Sequence, residues 1–401
     1  MPIDHSLISK EIEKRLKNKL WNSLQNQLPN GSLIVGGFLR DIISGKNEKR
    51  PDIDLIVQVN PLRIADKIVA KFKVKFIVLD KKRNVVRINF DQFILDIAEQ
   101  VGGSLLVDLS SRDFTMNSIA FSLDSRRIVD PLNGINDFKK GLIKTQNNNN
   151  LLDDPLRILR CFRFVSEFNF KVDKQLYEFI RINKNKMSSV SVERIQYELK
   201  KIYEGQNALS TILSINKLKI FDWIQSYKTI SSIYLESYKL INSDFFEKDE
   251  HKTLFYLIET LDKSSIKYFK FSKADNQNST ILRKWKHRLI AKPIEQFDEI
   301  ERFDLHKELE DILPSFIVYL PNRLHSEWLK RWKNKQDRLF HPQNLINGDI
   351  LKQHIDIKDG PLLGKLLRYL SIEFAYHRLN NFDEAIYDAK QWFEQNAPKC
   401  D

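Results

Sequence analysis

The chain has 401 residues, of which 42% are hydrophobic and 29% are charged, a composition that excludes wholesale disorder. Its 65 Lys and Arg against 53 Asp and Glu give a net charge of +12, which favours a polyanionic partner such as nucleic acid. Only 12 Gly and 12 Pro occur, too few turn residues for a β-sandwich or a propeller. We therefore expect a mostly helical chain with two to four packed units.

No segment predicts a membrane span or a secretion signal. The longest apolar runs, such as Phe316 to Leu320, fall far short of the roughly 20 residues that cross a bilayer. The N-terminal segment interleaves acidic side chains and lacks the apolar stretch of a signal peptide. The cysteines, Cys161 and Cys400, are too few for a disulfide framework or a cysteine-based zinc site. The sequence therefore predicts a cytoplasmic protein.

The spacing of apolar residues predicts an α+β chain. Apolar residues recur every four positions from Ile8 to Leu28, which predicts one amphipathic helix over residues 7–28. Helical periodicity dominates again after about residue 150, so we expect a small head followed by an all-helical body. Between them, short apolar runs with polar, Gly or Pro boundaries predict strands. These runs are 32–37, 53–59, 76–79, 85–88 and 93–97.

Acidic residues at the predicted strands indicate a metal site. Gly36 and Gly37 follow the first strand and precede a helix, an arrangement whose backbone N–H groups suit an anion. Asp52 and Asp54 share one face of the second strand, and two adjacent carboxylates with hard oxygen ligands select Mg²⁺ or Mn²⁺. A solvent-facing pair is the alternative. Asp96 in the fifth strand is a plausible third carboxylate, with an edge position facing water as the alternative.

Five motifs in order resemble those of class II tRNA nucleotidyltransferases and bacterial poly(A) polymerases. They are GGFLRD (36–41) with DID (52–54), RDFTMNSIA (112–120), DPLNGIND (130–137), DDPLRILR (153–160), and SVERI with Glu198 (191–198). Ile135 stands where a second Gly is more usual, and Asp153 stands where most members have Glu. Residues 345–392 are similar, more diffusely, to the tail of tRNA-adding members.

The resemblance implies a DNA-polymerase-β-like nucleotidyltransferase head and an extended helical body. It also implies template-independent addition of nucleotides from CTP and ATP to the tRNA 3′ end, either C and C alone or C, C and A. It assigns catalysis to Asp52, Asp54 and Asp96, the first two as ligands of two divalent ions, Mg²⁺ or Mn²⁺. Gly36 and Gly37 would seat the triphosphate. The other nucleotide-binding residues that it implies are Arg40, Asp41, Arg112, Asp113, Asn117, Asp154, Arg157 and Arg160.

The resemblance and the change in sequence texture divide the chain into five parts. These are an N-terminal helix (1–30), the catalytic head (31–145), a nucleotide-selecting helical neck (146–205), an RNA-binding helical body (206–340) and a helical tail (341–401). The tract of four Asn at 147–150 is interpreted as a solvated connector between head and neck.

Asp154 and Arg157 predict a choice of nucleotide. Pro155 suits the first turn of a helix, which would place both side chains on one helix face. A carboxylate only accepts hydrogen bonds and a guanidinium only donates them. Cytosine and adenine present an amino donor beside a ring-nitrogen acceptor, which fits the pair, whereas uracil and guanine present the opposite sense. The pair is predicted to act as a protein template for C and A, with a simple i,i+3 salt bridge as the alternative.

Two basic clusters predict contacts with the tRNA acceptor arm. Trp285 is flanked by cations, and Trp328 and Trp332 lie four residues apart among others. Cationic side chains bind phosphates irrespective of nucleotide sequence. The Trp328 and Trp332 pair can equally be core residues beside a solvated face. The predicted RNA-binding cations are Arg283, Lys284, Lys286, Lys330, Arg331 and Lys333.

The short interval between Asp96 and the RDFT motif bears on how far synthesis proceeds. In tRNA-adding relatives a flexible loop there helps to switch the pocket from CTP to ATP, and members that add only two cytidines have lost it. Strand exit, a turn at Gly102 and Gly103, and the start of a helix use most of residues 98–111. We therefore predict CC addition ahead of full CCA addition, with a separate A-adding enzyme as cellular partner.

Two other functions are alternatives. Poly(A) polymerases share the head, but they usually carry an Arg-rich strand before the RDFT motif, which FIVLDKKRNVVRINF (76–90) lacks. An inactive RNA-binding module is a more remote alternative. The intact acidic pair, together with Asp154 and Arg157, argues against it.

Overall fold

The computed structural model describes residues 5–81, 83–223, 246 and 249–396. Its contacts divide the chain once, into a first unit, Met1–Trp223, and a second unit, Ile224–Asp401. The finer five-part division stays a prediction. No helix within the described residues has the length and apolar character needed to span a membrane. Cys161 is buried, which raises the pKa of its thiol, and Cys400 lies outside the described residues.

A seven-stranded sheet forms the first half of the first unit, in the order β3-β4-β5-β2-β1-β6-β7. The five strands predicted from apolar runs are confirmed as β1 to β5, whereas the short strands β6 and β7 were not predicted. The strands are β1 (Leu33–Val35), β2 (Asp52–Val57), β3 (Phe76–Asp80), β4 (Val85–Asn89), β5 (Ile94–Glu99), β6 (Ala120–Ser122) and β7 (Arg127–Val129).

β1 and the second half of β2 carry buried apolar side chains on both faces, because both faces of the sheet are covered there. Ile34 and Leu55 belong to the larger core cluster on one face, and Leu33 and Ile56 belong to a second cluster on the other. β2 pairs in parallel with β5 and antiparallel with β1, and Asp54 is the register partner of Asp96. This topology places the acidic ends of β2 and β5 side by side.

The helix predicted over residues 7–28 is two helices, α1 (His5–Leu16) and α2 (Lys19–Gln25). Asn18 interrupts the pattern because it adopts an extended backbone and its side chain accepts a hydrogen bond from the Trp21 amide at 2.7 Å. Asn is a preferred residue at this capping position. Buried apolar side chains on both helices, Ile12 and Leu24 among them, pack in the sheet's larger core cluster.

Helices connect and follow the strands of the first unit, and β8 (Leu142–Ile143) pairs in parallel with β9 (Lys171–Val172). The remaining helices of this unit are α3 (Gly37–Ile43), α4 (Pro61–Phe72), α5 (Leu105–Ser110), α6 (Gly134–Lys139), α7 (Asn150–Asp153), α8 (Arg157–Phe168), α9 (Lys174–Asn183), α10 (Val192–Glu204) and α11 (Ala208–Leu218).

Helices α8 and α10 run side by side in the same direction. Three contacts join them in sequence order. Asp154, just before α8, accepts a hydrogen bond from Arg194, and Arg163 donates one to Glu198. Further along, the Ser166 hydroxyl donates to the Ile202 carbonyl. These contacts advance together along both helices, which establishes their parallel arrangement.

The described part of the second unit is helical, as the periodicity predicts. Large aromatic side chains, including Trp285, Phe303 and Phe316, are fully buried in it. Its helices are α12 (Asp249–Thr260), α13 (Lys263–Tyr268), α14 (Lys273–Ala291), α15 (Glu299–Leu309), α16 (Leu313–Ile317), α17 (Asn322–Lys333), α18 (Gly348–His354), α19 (Pro361–Ala375) and α20 (Phe382–Asn396).

Candidate active site

A cavity of about 1210 Å³ opens in the first unit beside the acidic ends of β2 and β5. Every residue that the sequence assigns to catalysis or nucleotide binding lines it, so the structure brings that whole set together, while the individual roles stay predictions. These residues are Gly36, Gly37, Arg40, Asp41, Asp52, Asp54, Asp96, Arg112, Asp113, Asn117, Asp154, Arg157 and Arg160.

Gly36 lies where β1 turns into α3, and only glycine fits there. Its φ of +78° is in the left-handed region that side chains disfavour. A Cβ atom at this position would lie 2.8 Å from Oδ2 of Asp54, closer than carbon and oxygen can pack. The glycine turn therefore brings the backbone against the Asp54 carboxylate and leaves the start of α3 open to the cavity.

Asp52 and Asp54 share one face of β2, as predicted, and line the cavity. Asp52 is exposed, and the Asp54 carboxylate is far more buried. Burial, with further contributions from Asp96 and Asp52, raises the pKa of Asp54 from 3.8 to about 6, although Arg112 opposes the shift. Within the described residues, the Asp54 carboxylate accepts no hydrogen bond and forms no ion pair.

This acidic pair fits a hard divalent cation. An unneutralised buried carboxylate beside a second carboxylate is costly at neutral pH unless a cation joins them. The described residues contain no set of three His, Cys, Asp or Glu side chains grouped to hold a metal ion. Mg²⁺ commonly binds through one or two carboxylates and completes its coordination with substrate phosphates and water. Two carboxylates at an open cavity match that requirement.

Asp96 has a protein counter-charge. Arg87 on the neighbouring strand β4 donates from Nε and Nη2 to the two oxygens of Asp96 at 2.8 and 2.7 Å, a bidentate ion pair. The edge position considered for Asp96 is wrong, because β5 lies between β2 and β4. Arg87 was not predicted. It stands between the buried Val86 and Ile88, and this cation within an apolar strand was the available signal.

A buried polar network fixes Asp113 at the cavity wall. Its carboxylate accepts hydrogen bonds from the Phe114 amide at 2.8 Å, Asn117 Nδ2 at 2.9 Å and Arg160 Nε at 2.8 Å. Burial opposes ionisation, but Arg160, Asn117 and the amide together lower the pKa of Asp113 well below its usual value. Arg40 Nη1 in turn donates to Asn117 Oδ1 at 3.0 Å. The predicted nucleotide-binding residues of three motifs are thus one connected unit.

Arg163 and Glu198 extend this network beneath the cavity. Glu198 is 2% exposed and lies 3.4 Å from Arg163 and 3.8 Å from Arg160. Burial raises the pKa of Glu198, while the two guanidinium groups oppose the rise. Both arginines also lie over the Phe164 ring. Arg163 was not predicted, although its place three residues after Arg160 on an amphipathic helix was an available signal.

Asp154 and Arg157 both face the cavity, but not as the helix-face pair that the sequence predicts. The prediction is wrong because α8 begins at Arg157, whereas Asp154 lies before Pro155 in extended backbone, as residues that precede proline prefer. Asp154 Oδ2 accepts from Arg194 Nη2 at 2.8 Å, and Oδ1 accepts from the Leu156 amide at 3.3 Å. The simple i,i+3 salt bridge is therefore not formed either.

Arg157 is held by backbone carbonyl groups instead. Its Nη1 donates to Ser111 O at 2.9 Å and to Asn150 O at 3.2 Å, while Nε and Nη2 make no hydrogen bond within the described residues. Asn150 is itself buried and donates to the carbonyls of Ser110 and Arg112 at 2.7 and 2.8 Å. The Asn tract is thus not merely a solvated connector. It fixes the guanidinium and leaves other N–H donors for a ligand.

Residues 98–111 are taken up by ordered structure. A 3₁₀ turn spans Val101–Gly103, Ser104 caps α5, and α5 ends at Ser110. Asp108 accepts from the Val101 amide at 2.9 Å and from Arg112 Nε at 3.2 Å. The predicted turn at Gly102 and Gly103 is confirmed, because both have a positive φ. No long loop separates β5 from the RDFT motif.

The predicted RNA-binding cations of α14 form ion pairs or hydrogen bonds with other residues of the protein. Lys284 binds Glu308 at 2.7 Å and Lys286 binds Glu259 at 2.5 Å, while Arg283 donates to the Leu261 carbonyl. Burial lowers the pKa of Arg283. Such internal pairing reduces the charge that these side chains offer to phosphates, so their RNA contact stays a prediction.

The cluster on α17 contains one cation with an internal ion pair and two exposed lysines. Arg331 binds Asp337 at 2.8 Å. The side chains of Lys330 and Lys333 are exposed. Trp332 is buried and donates to the Glu310 carbonyl at 2.7 Å, and Trp328 packs against His306 and Phe340. Trp332 is therefore a core residue and Trp328 is half-buried against aromatic neighbours, while the exposed lysines remain the predicted phosphate contacts.

The raised pKa of Asp54 gives a testable stability profile. The folded chain holds this proton up to about pH 6, whereas the unfolded chain releases it near 3.8. Protonated Asp54 thus contributes to the free energy of unfolding at low pH, and this contribution is lost as the pH rises through about 6. We expect Asp54→Asn to melt above the wild type at pH 7 in a chelator, and the two to converge near pH 4. Mg²⁺ at pH 7 should raise the melting temperature of the wild type selectively. Equal melting at pH 7 would contradict the buried-charge account.

Comparisons with known proteins agree with this geometry. The family model described as "Poly A polymerase head domain" matches residues 32–144, and that described as "Probable RNA and SrmB- binding site of polymerase A" matches residues 169–227. A CC-adding tRNA nucleotidyltransferase from Synechocystis sp. is 29% identical over 393 residues, which cover 91% of this chain and 94% of the relative.

Solved structures share the fold. A Thermotoga maritima CCA-adding enzyme in complex with tRNA has a TM-score of 0.72 at 22% identity and covers 96% of this chain and 98% of its own. A Bacillus stearothermophilus CCA-adding enzyme in complex with CTP has a TM-score of 0.71 at 18% identity, over 98% of this chain and 99% of its own. With the acidic pair, the glycine turn and the matched head and RNA-binding models in one chain, the protein belongs to the class II tRNA nucleotidyltransferase and poly(A) polymerase family.

Proposed function

We propose that this tRNA nucleotidyltransferase adds two cytidines to the 3′ end of tRNA and leaves the terminal adenosine to a separate enzyme. The observation that carries the proposal is the short, ordered interval between β5 and the RDFT motif. The Synechocystis relative, whose alignment covers about nine-tenths of both chains, is a CC-adding enzyme. Transfer of each nucleotide joins its α-phosphate to the RNA 3′-OH and releases pyrophosphate.

Asp154 and Arg157 support selection of cytosine. Arg157 is fixed through Nη1 and keeps Nε and Nη2 for the acceptor side of a base. Asp154, held by Arg194, retains lone pairs that accept from an exocyclic amino group. Uracil would set an N–H against the guanidinium and a carbonyl against the carboxylate. Each buried group left unpaired in this way costs about 1–3 kcal/mol.

The acidic end of β2 supports the transfer chemistry. Asp52 and Asp54 would hold Mg²⁺, with Gly36 keeping the backbone clear of the Asp54 carboxylate. The bound cation would lower the pKa of the RNA 3′-OH and neutralise charge on the leaving pyrophosphate. Gly36 and Gly37 form the N-terminus of α3, whose backbone N–H groups suit a triphosphate. Arg112 adds positive charge at the same cavity wall.

The interval between β5 and α5 supports a stop after two cytidines. Closing a pocket on the larger adenine requires a movable element. Here Asp108 ties the start of the interval to its end through the Val101 amide and Arg112. These hydrogen bonds leave few residues in the interval that could move to reshape the pocket. The pocket is accordingly expected to hold one specificity state, the one for cytosine.

Incubation of a tRNA that lacks its last three nucleotides with each nucleoside triphosphate in turn tests this function. CTP alone should extend the tRNA by two nucleotides, and UTP or GTP should be used about 100-fold less efficiently, since one or two mispaired groups each cost about 1–3 kcal/mol. A poly(A) polymerase would instead grow a long tail with ATP alone, and that product would overturn the proposal. The doubly substituted Asp52→Ala, Asp54→Ala variant serves as the inactive control.

A further inference from the structure

One face of α10 lies along the active cavity. Arg194, Tyr197 and Lys201, at three- and four-residue spacing, all line it, and residues at these intervals share a helix face. The family model for RNA binding covers this helix. The cavity, at about 1210 Å³, exceeds the roughly 300–1,000 Å³ of a site for one small ligand. It therefore has room for the end of an RNA chain beside a nucleotide.

Tyr197 differs from the other aromatic side chains that line this cavity. Trp21, Phe38 and Phe93 are 2, 6 and 3% exposed and belong to the core of the head, whereas Tyr197 is 55% exposed. Within the described residues, Tyr197 makes no hydrogen bond and no ring contact. An aromatic ring is thus left uncovered in a cavity whose walls are otherwise largely polar and charged.

The position of Tyr197 relates it to the base-selecting residues. Arg194 binds Asp154 at 2.8 Å, so this point on α10 lies beside a residue that is proposed to select the incoming base. Tyr197 is three residues further on, or about 4.5 Å along the helix axis at a rise of about 1.5 Å per residue. Successive bases of a nucleic-acid strand are about 3.4 Å apart. Arg194 and Tyr197 are thus separated along the axis of α10 by a distance similar to one base step.

We propose that Tyr197 is a stacking platform for the 3′-terminal base of the RNA that is being extended. This subsite rests on the proposed function and adds a binding residue that the motifs do not include. Every base has a π-face, so stacking on an aromatic ring tolerates different bases. Such tolerance is required here, because the terminal base changes after each addition. Stacking would hold the RNA end beside the incoming nucleotide without reading its sequence.

Steady-state kinetics with two tRNAs test the platform. One tRNA ends in the first added cytidine, and the other carries an abasic nucleotide at that terminus with its 3′-OH intact. For the wild type, loss of the base should raise the KM for tRNA by about 5- to 150-fold, the range that corresponds to stacking on one ring. Tyr197→Ala should show that raised KM with the normal tRNA and little further change with the abasic one. Tyr197→Phe keeps the ring and should behave as the wild type.

Three outcomes would overturn the platform. They are an unchanged KM for tRNA in Tyr197→Ala, an abasic penalty in Tyr197→Ala as large as in the wild type, and a raised KM for CTP alone, which would place the ring against the incoming nucleotide. Because Tyr197 is exposed, all variants should melt with the wild type, so a folding defect is separable. Failure of the wild type itself to use CTP would count against the proposed function and not against this subsite.

Discussion

Asp54→Asn is expected to reduce CTP incorporation into tRNA by about 1,000-fold or more while the variant stays folded and binds tRNA as the wild type does. The substitution keeps the shape of the side chain but removes the charge that would hold a divalent cation next to Asp52. Loss of several kcal/mol of charge stabilisation in the transition state corresponds to that factor. Single-turnover incorporation, with tRNA affinity measured by filter binding, gives both quantities.

The control for Asp54 is Asp66→Asn, which removes an exposed carboxylate of α4 outside the cavity. It should retain wild-type turnover. Asp52→Asn should lose activity as Asp54→Asn does, although without the same gain in melting temperature, because Asp52 is exposed. Near wild-type turnover in either cavity variant would show that the acidic pair does not hold the ions that drive transfer.

Arg157→Ala is expected to reduce the preference for CTP over UTP by about 10- to 100-fold, and Asp154→Ala should act in the same direction. Each removes one side of the hydrogen-bonding template, so the wrong base no longer leaves a buried group unpaired at about 1–3 kcal/mol. Turnover with CTP should fall as well. The ratio of kcat/KM values for the two triphosphates on one tRNA measures the effect.

Arg181→Ala is a matched control, because Arg181 lies exposed on α9, pairs with Glu178 at 2.8 Å and does not line the cavity. It should leave the preference unchanged. If Asp154→Ala and Arg157→Ala both keep the wild-type ratio of kcat/KM values, the two residues do not select the base. The carbonyl groups that hold Arg157 would then be only a structural anchor.

The sequence predicted most of the head because its signals are local. Apolar runs located β1 to β5, and the motifs located the residues of the cavity wall. The turn at Gly36 was also predictable, since glycine was expected where a backbone approaches a ligand. The 2.8 Å distance to Asp54, however, depends on how β1 and β2 pair, and local sequence does not encode that register.

The features that sequence reasoning missed depend on contacts between distant segments. Arg87 meets Asp96 only because β4 pairs with β5, and Arg194 meets Asp154 only because α10 packs beside α8. The break at Asn18 was hidden, since the four-residue apolar spacing continues through a capping residue. The internal ion pairs of Lys284 and Lys286 were missed as well, because charge along a sequence does not reveal which cations the protein neutralises itself.

The central claim, that synthesis stops after two cytidines, is tested most directly with a tRNA that already ends in CC. Labelled ATP and Mg²⁺ are added to the enzyme, and the RNA is resolved at single-nucleotide length. A tRNA that lacks the two cytidines, given CTP in the same preparation, shows that the enzyme is active. The account predicts two cytidines on the second tRNA and no adenosine on the first. Addition of one adenosine to the CC end at a rate similar to cytidine addition would contradict it and establish full CCA addition.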